Sequence, residues 1–171
     1  MNKVHIATAE KKPRGNTCNI CVARVRGEFC VHALRFIEAG QVFLQVKGKR
    51  RDHPRYTSIQ VGWNTHLDVN GDLSLEELMD RFPWRFINHS CDGNAIVQGR
   101  QLVAVRLIRP GEEVTFNYNT TEFDMARPFT CRCGSLFCAR RIRGFKYLKP
   151  KERERLHPLL NLHLKSLLDK P

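Results

Sequence analysis

The sequence predicts a mostly β fold, and three features carry the prediction. Apolar residues recur in short alternating runs, from Ile20 to Val25 and from Val42 to Val46, the pattern of strands in half-buried sheets. Turn-forming residues interrupt these runs every few positions. The centre of the chain carries clear helix signals at one place only. At 171 residues a single domain buries most of the surface its unfolded chain would expose, so it needs no staples.

Taken in order, Glu38-Ala39-Gly40 is a turn between the first runs, and the basic stretch Lys47 to Arg55 is expected as an exposed loop. Tyr56 to Trp63 is the next strand candidate, closed by Asn64 and then by the polar turn Asp68 to Asp72. Ser74 with Glu77 makes a capping box. Leu75, Leu78, Met79 and Phe82 then give a short amphipathic helix that Pro83 stops. Ala95 to Val97 and Leu102 to Ile108 flank Gly99-Arg100 as a hairpin, and Arg109-Pro110-Gly111 turns into a strand over Val114 to Tyr118. Near the end, Pro158 opens a helix with Leu160, Leu164, Leu167 and Leu168 on one face.

The formal charge of +12, from 29 Lys and Arg against 17 Asp and Glu, predicts attraction to an acidic surface or nucleic acid. No stretch has the apolar length needed to span a bilayer, so no membrane partner is expected. Met1 to Gly15 is polar and basic without an apolar run, and the expected location is intracellular, cytoplasmic or nuclear. Seven cysteines is an odd number. Three of them, Cys131, Cys133 and Cys138, form a C-x-C-x4-C cluster, which in a reducing compartment points to zinc rather than disulfides. Cys18, Cys21, Cys30 and His32 are a less favoured second zinc set, because alternate cysteines in a strand simply face a core.

Polar side chains are unusually dense in Arg85-Phe86-Ile87-Asn88-His89-Ser90-Cys91, directly after apolar residues. Gly111-Glu112-Glu113-Val114-Thr115-Phe116-Asn117-Tyr118 follows, and then Cys131-Arg132-Cys133-Gly134-Ser135-Leu136-Phe137-Cys138. Each alone is a weak signal. R-F-I-N-H-S-C, G-E-E-V-T-F-N-Y and C-R-C-G-S-L-F-C in that order resemble the SET domain with its post-SET zinc motif, and Arg35 to Gly40 resembles the family's R-x-I-x-x-G turn. The resemblance implies a β-clip-like fold of small curved sheets with a threaded, pseudoknot-like C-terminal segment, short helices and a zinc loop. It divides the chain into a flexible basic N-terminus (1–17), a SET domain (18–125), a post-SET motif (126–148) and a C-terminal helix (149–171).

The same resemblance implies methyl transfer from S-adenosylmethionine to a lysine of a histone or another protein, by a monomer or a homodimer. Tyr118 matches the tyrosine beside the transferring methyl, and Phe116 the aromatic that limits product state, leaving room for di- or trimethylation. Asn88 and His89 match the residues that hold the cofactor, Arg85 and Phe86 lie on the cofactor side of the same motif, and Tyr56 and Cys30 supply further contacts. Cys91 would be the fourth zinc ligand beside Cys131, Cys133 and Cys138, and Phe145 with Ile142 or Tyr147 an apolar lid.

The match departs from the family at two places. Glu28-Phe29-Cys30 stands where the family carries G-x-G, so a side chain at Cys30 is expected to crowd the cofactor. Gly93 stands where N-H-S-C-x-P-N has proline, an exchange expected to be benign. The lost glycines favour a second reading, a catalytically weak SET module that binds chromatin or nucleic acid through its basic surface.

Overall fold

A computed structural model describes residues 19–168 of the chain; Cys18 and the 1–17 segment lie outside the described residues. Strands dominate, as the alternating runs require. β1 (Ile20–Val25) and β2 (Glu28–Ala33) form a hairpin in register from Ile20↔Ala33 to Val25↔Glu28. β2 then pairs antiparallel with β10 (Glu113–Phe116). β10 in turn takes two parallel partners, β7 (Asn88–His89) and β8 (Ala95–Gln98), with Phe116 opposite both His89 and Ala95. β8 continues through the Gly99-Arg100 turn into β9 (Gln101–Ala104), and β9 pairs with β3 (Val42–Gln45) to complete a seven-stranded sheet.

The two parallel pairings place the N-H-S-C segment beside the strand that leads to Tyr118. Gly93 makes this approach possible. A Cβ on Gly93 would lie 2.6 Å from Phe116 Cα and 2.7 Å from Thr115 O. The position therefore requires a residue without a Cβ, and the glycine that stands where the family has proline meets that requirement.

A second sheet of three strands, β4 (Lys49–Arg51), β6 (Thr65–Asp68) and β5 (Ile59–Gly62), projects between β3 and α1 (Leu75–Arg81) in sequence. Two expectations change here. Lys47 to Arg55 is not all loop, because its centre pairs with β6 and Arg51 reaches the buried carboxylate of Asp68 at 3.3 Å. The Tyr56 to Trp63 strand is shorter, and both end aromatics are exposed. α1 begins as expected, with Glu77 N–H donating to Ser74 Oγ and Ser74 N–H to Glu77 Oε2, and Pro83 opens a 3-10 turn (Pro83–Phe86) after it.

The main core lies under the large sheet, where Val31, Ile37, Val97, Leu102, Ile108 and Val114 are fully buried. β10 ends sooner than expected, and Tyr118 starts a 3-10 turn (Tyr118–Thr120). Beyond it come the short pair β11 (Phe129–Thr130) and β12 (Arg141–Ile142), a 3-10 turn (Phe145–Tyr147), α2 (Pro150–Leu156) and α3 (Leu162–Leu168). The expected single C-terminal helix is thus two, broken at Pro158 where a ring replaces a backbone donor. Buried Asn161 fixes the break: its amide exchanges two hydrogen bonds with the Gly99 backbone, and its Oδ1 also accepts from Leu162 N–H at the start of α3. Phe145, Leu148, Leu156, Leu160 and Leu164 form a second, smaller core.

Candidate functional site

Tyr118 opens the 3-10 turn just beyond β10, half-buried, and its hydroxyl donates to Ile87 O at 2.7 Å. Burial, followed by the nearby Tyr56, Glu122 and Glu113, raises the phenol pKa, so the ring stays neutral. Aromatic groups wall it on several sides: Phe116 with ring centroid at 4.9 Å, His89 at 5.2 Å and Phe129 at 6.1 Å. A neutral hydroxyl pinned to a carbonyl keeps lone-pair density available to a neighbouring group while its proton is committed.

Parallel pairing with β10 brings Asn88 and His89 to the same place. Asn88 Nδ2 donates to Phe29 O and to Glu113 Oε1, each at 3.0 Å. Its Oδ1 accepts no hydrogen bond from the described residues, which leaves an acceptor for a cationic group. Phe86 sits on the adjoining turn, edge to face with Phe29 at 5.4 Å. Arg85 points to Asp68 at 3.8 Å and shares that carboxylate with Arg51 and Arg55.

Cys30 is buried, its sulfur 3.2 Å from His32 Nε2 and 3.6 Å from Ala23 O. Burial first, and the Glu113 carboxylate second, raise its pKa and hold the thiol protonated. Tyr56 is 73% exposed, with the Arg127 guanidinium 5.0 Å from its ring centroid.

The cysteine of the N-H-S-C segment meets the three of the C-x-C-x4-C cluster in space. The sulfur atoms of Cys91, Cys131, Cys133 and Cys138 all lie within 4.8 Å of one another, and Cys91 Sγ is 4.0 Å from Cys131 Sγ. Tetrahedral zinc with bonds of about 2.3 Å needs sulfurs about 3.8 Å apart, so the donor set fits zinc in number, chemistry and spacing. Burial raises the Cys131 thiol to about 11. At Cys133 burial also pushes upward, but hydrogen bonding from the Cys91 and Ser135 backbones and from the neighbouring thiols brings the value down to about 6. Among the described residues this is the one group able to hold a metal, and Cys21, Cys30 and His32 do not make a second. Ile142 is buried beneath the cluster, Phe145 belongs to the second core, and exposed Tyr147 donates to Asp124.

Two features escaped sequence reasoning. Phe129 walls both His89 and Tyr118, and its only signal is an apolar residue just ahead of the cysteine run. Glu122 looks like a surface acid in Asn119-Thr120-Thr121-Glu122 but is buried, accepting from Gln60 N–H at 2.7 Å. Burial raises its pKa to about 7.

A family model for the SET domain matches residues 28–119, more than half of the chain. The chain belongs to the SET-domain family. It is 34% identical over 117 residues to Methyltransferase flvH of Aspergillus flavus, covering 66% of this chain and 58% of that protein. It is 36% identical over 130 residues to the histone-lysine N-methyltransferase ASHH3 of Arabidopsis thaliana, covering 67% and 35%. With the histone-lysine N-methyltransferase ash1 of Drosophila melanogaster the figures are 31% over 113 residues, 61% and 5%. The aligned part thus spans little over half of the first relative and far less of the other two. The solved structure of KRYPTONITE in complex with mCHG DNA and SAH shares the fold, with a TM-score of 0.51 and 21% identity over 70% of this chain and 28% of that one. The mostly β SET fold is therefore established. No described helix is long and apolar enough to cross a membrane.

Proposed function

We propose that this SET domain is a protein-lysine methyltransferase using S-adenosylmethionine, with Tyr118 at the reacting atoms. The observation that carries the reading is the Tyr118 hydroxyl, held on Ile87 O inside an aromatic wall and next to Asn88 and His89. S-adenosylmethionine supplies the methyl group as an electrophilic sulfonium. The protein's part is to position a neutral amine in line with it, at about 3 Å.

A lysine of pKa about 10.4 must lose a proton first, and desolvation between Phe116, Phe129 and Tyr118 lowers that pKa. The Tyr118 oxygen would then align the amine and could take weak C–H···O contacts from the methyl. Asn88 Oδ1 would accept from the ammonium end of the cofactor, and the backbone of His89 would hold its adenine. Arg85, Phe86, Cys30 and Tyr56 complete the cofactor side in this reading. The buried thiol of Cys30 at the site of a missing glycine lowers affinity without closing the site. Phe116 places no hydroxyl beside the amine, which permits di- or trimethylation. Cys91, Cys131, Cys133 and Cys138 would hold zinc, which would fix the segment that carries Phe129. The substrate class, a histone or another lysine-bearing protein, is supported by the names of relatives such as ash1 and ASHH3.

Calorimetric titration of S-adenosylmethionine into the purified chain tests the cofactor site. Binding should survive Tyr118→Phe and weaken at least tenfold in Asn88→Ala. Equal binding by wild type and Asn88→Ala would remove the assigned site.

A further inference from the structure

The chain's positive charge is concentrated on the cysteine knuckle and the helix that follows it. Residues 131–155 hold nine Lys and Arg against two Glu, a surplus of seven out of the chain's +12. Arg132, Arg140, Arg141, Arg143 and Lys149 are all exposed, and none is in an ion pair among the described residues. They border two clefts on either side of Cys138. One, of about 310 Å³, is lined by Arg141, Arg143 and Lys149; the other, of about 200 Å³, by Arg132 and Arg140. The second basic stretch, 47–55, is partly neutralised, because Arg51 and Arg55 lie on Asp68 at 3.3 and 3.8 Å.

Three arginines of this region lie over rings. Arg143 covers Tyr147 at 4.5 Å, Arg155 covers Phe137 at 4.8 Å, and Arg153 covers Phe145 at 5.1 Å. Arg153 commits its guanidinium to Leu148 O and Lys146 O, whereas at Arg143 and Arg155 the ring contact holds the guanidinium and leaves its N–H edge for an acceptor, a geometry that suits phosphate better than a mobile ammonium does. The ring contact also occupies ring faces that an unpaired base would need for stacking. Exposed cations without carboxylate partners, with one face of the Tyr147 and Phe137 rings already taken by an arginine, match the phosphates of a duplex better than the bases of a single strand.

We propose that the knuckle and α2 together form a docking face for the sugar-phosphate backbone of duplex DNA. The inference is independent of the methyl-transfer reading and would stand if cofactor binding failed. Contacts of this kind are independent of sequence and weaken steeply with salt.

The test is fluorescence anisotropy of a short, labelled, random-sequence DNA duplex against the purified full chain over a series of NaCl concentrations. Replacing Arg141, Arg143 and Lys149 together by glutamine should weaken binding at least tenfold and reduce the log–log salt slope by about two to three. The triple variant should keep the wild-type melting temperature. If it does not, Arg132→Gln with Arg140→Gln, on the other side of the knuckle, must give a slope reduced by about two. Lys49→Gln with Arg50→Gln in β4 should change the slope less than either set. Salt-independent or undetectable binding, a wild-type slope in both knuckle variants, the larger loss in the β4 variant, or tighter binding of a single strand or an acidic peptide would each overturn the proposal.

Discussion

His89 Nδ1 accepts the backbone N–H of Tyr118 at 3.1 Å, while its Nε2 lies 3.2 Å from Cys91 Sγ. A backbone N–H can only donate, so the imidazole proton is on Nε2 and points to the sulfur. Burial keeps the ring neutral by lowering its pKa to about 4. One side chain thus ties the Tyr118 turn to the cysteine cluster. His89→Ala leaves a buried donor unpaired, a loss of about 1–3 kcal/mol. The expected outcome is lower stability in urea and a methyl-transfer rate reduced about tenfold or more, with the metal still bound. A variant with wild-type stability and rate would break the link.

The cysteine cluster predicts one zinc per chain. Elemental analysis after exhaustive buffer exchange should give a ratio near one for wild type and well below one for Cys91→Ser, since a structural site needs all four ligands. A strong chelator should lower the melting temperature of wild type more than that of the variant. Full zinc in Cys91→Ser would separate Cys91 from the cluster.

Glu122 gives a pH dependence of defined sign. Its carboxyl is raised from the ordinary 4.5 to about 7 by burial, so the folded state binds the proton more tightly than the unfolded one. The stability it contributes is fully present below pH 4.5 and is lost as pH rises through about 7. Glu122→Gln keeps the acceptor for Gln60 N–H and removes the charge. Its melting temperature should therefore exceed that of wild type at pH 8 and match it at pH 5. An unchanged pH profile would place the charge elsewhere.

Gly93 should tolerate no side chain. Gly93→Ala puts a Cβ against the Thr115–Phe116 backbone, and backbone cannot give way as a flexible side chain can. A loss of roughly 1–3 kcal/mol in denaturant unfolding is expected. A smaller loss would mean that the 90–94 loop shifts freely.

Most of the site was legible because its residues fall in short contiguous motifs. Asn88, His89, Tyr118 and the four cysteines are singled out through motifs that resemble the SET family, and strand pairing brings those motifs together in space. What stayed hidden depends on long-range pairing. β4 is masked by charge: Lys49, Arg50 and Arg51 form a strand through their pairing with β6, where the Arg51 side chain also reaches Asp68. α2 shows no apolar stripe, since Lys151 to Arg155 is all charged and Leu156 is its only buried residue. Glu122 is buried against Gln60, 62 residues earlier in the chain: Gln60 N–H donates to its carboxylate while Gln60 Oε1 accepts from Phe123 N–H, a pairing that local pattern does not show. Glu28-Phe29-Cys30 departs from the family pattern, yet the backbone of Phe29 still reaches Asn88.

Mass spectrometry of lysine-bearing proteins and peptides, incubated with S-adenosylmethionine and either wild type or Tyr118→Phe, tests the central claim most directly. Wild type should add methyl groups to a lysine amine and proceed past the first, Phe116→Tyr should stop earlier, and Tyr118→Phe should lose at least a hundredfold in rate while still binding cofactor. A Tyr118→Phe rate equal to wild type, or no methylated lysine from a wild type that binds the cofactor, would contradict the account.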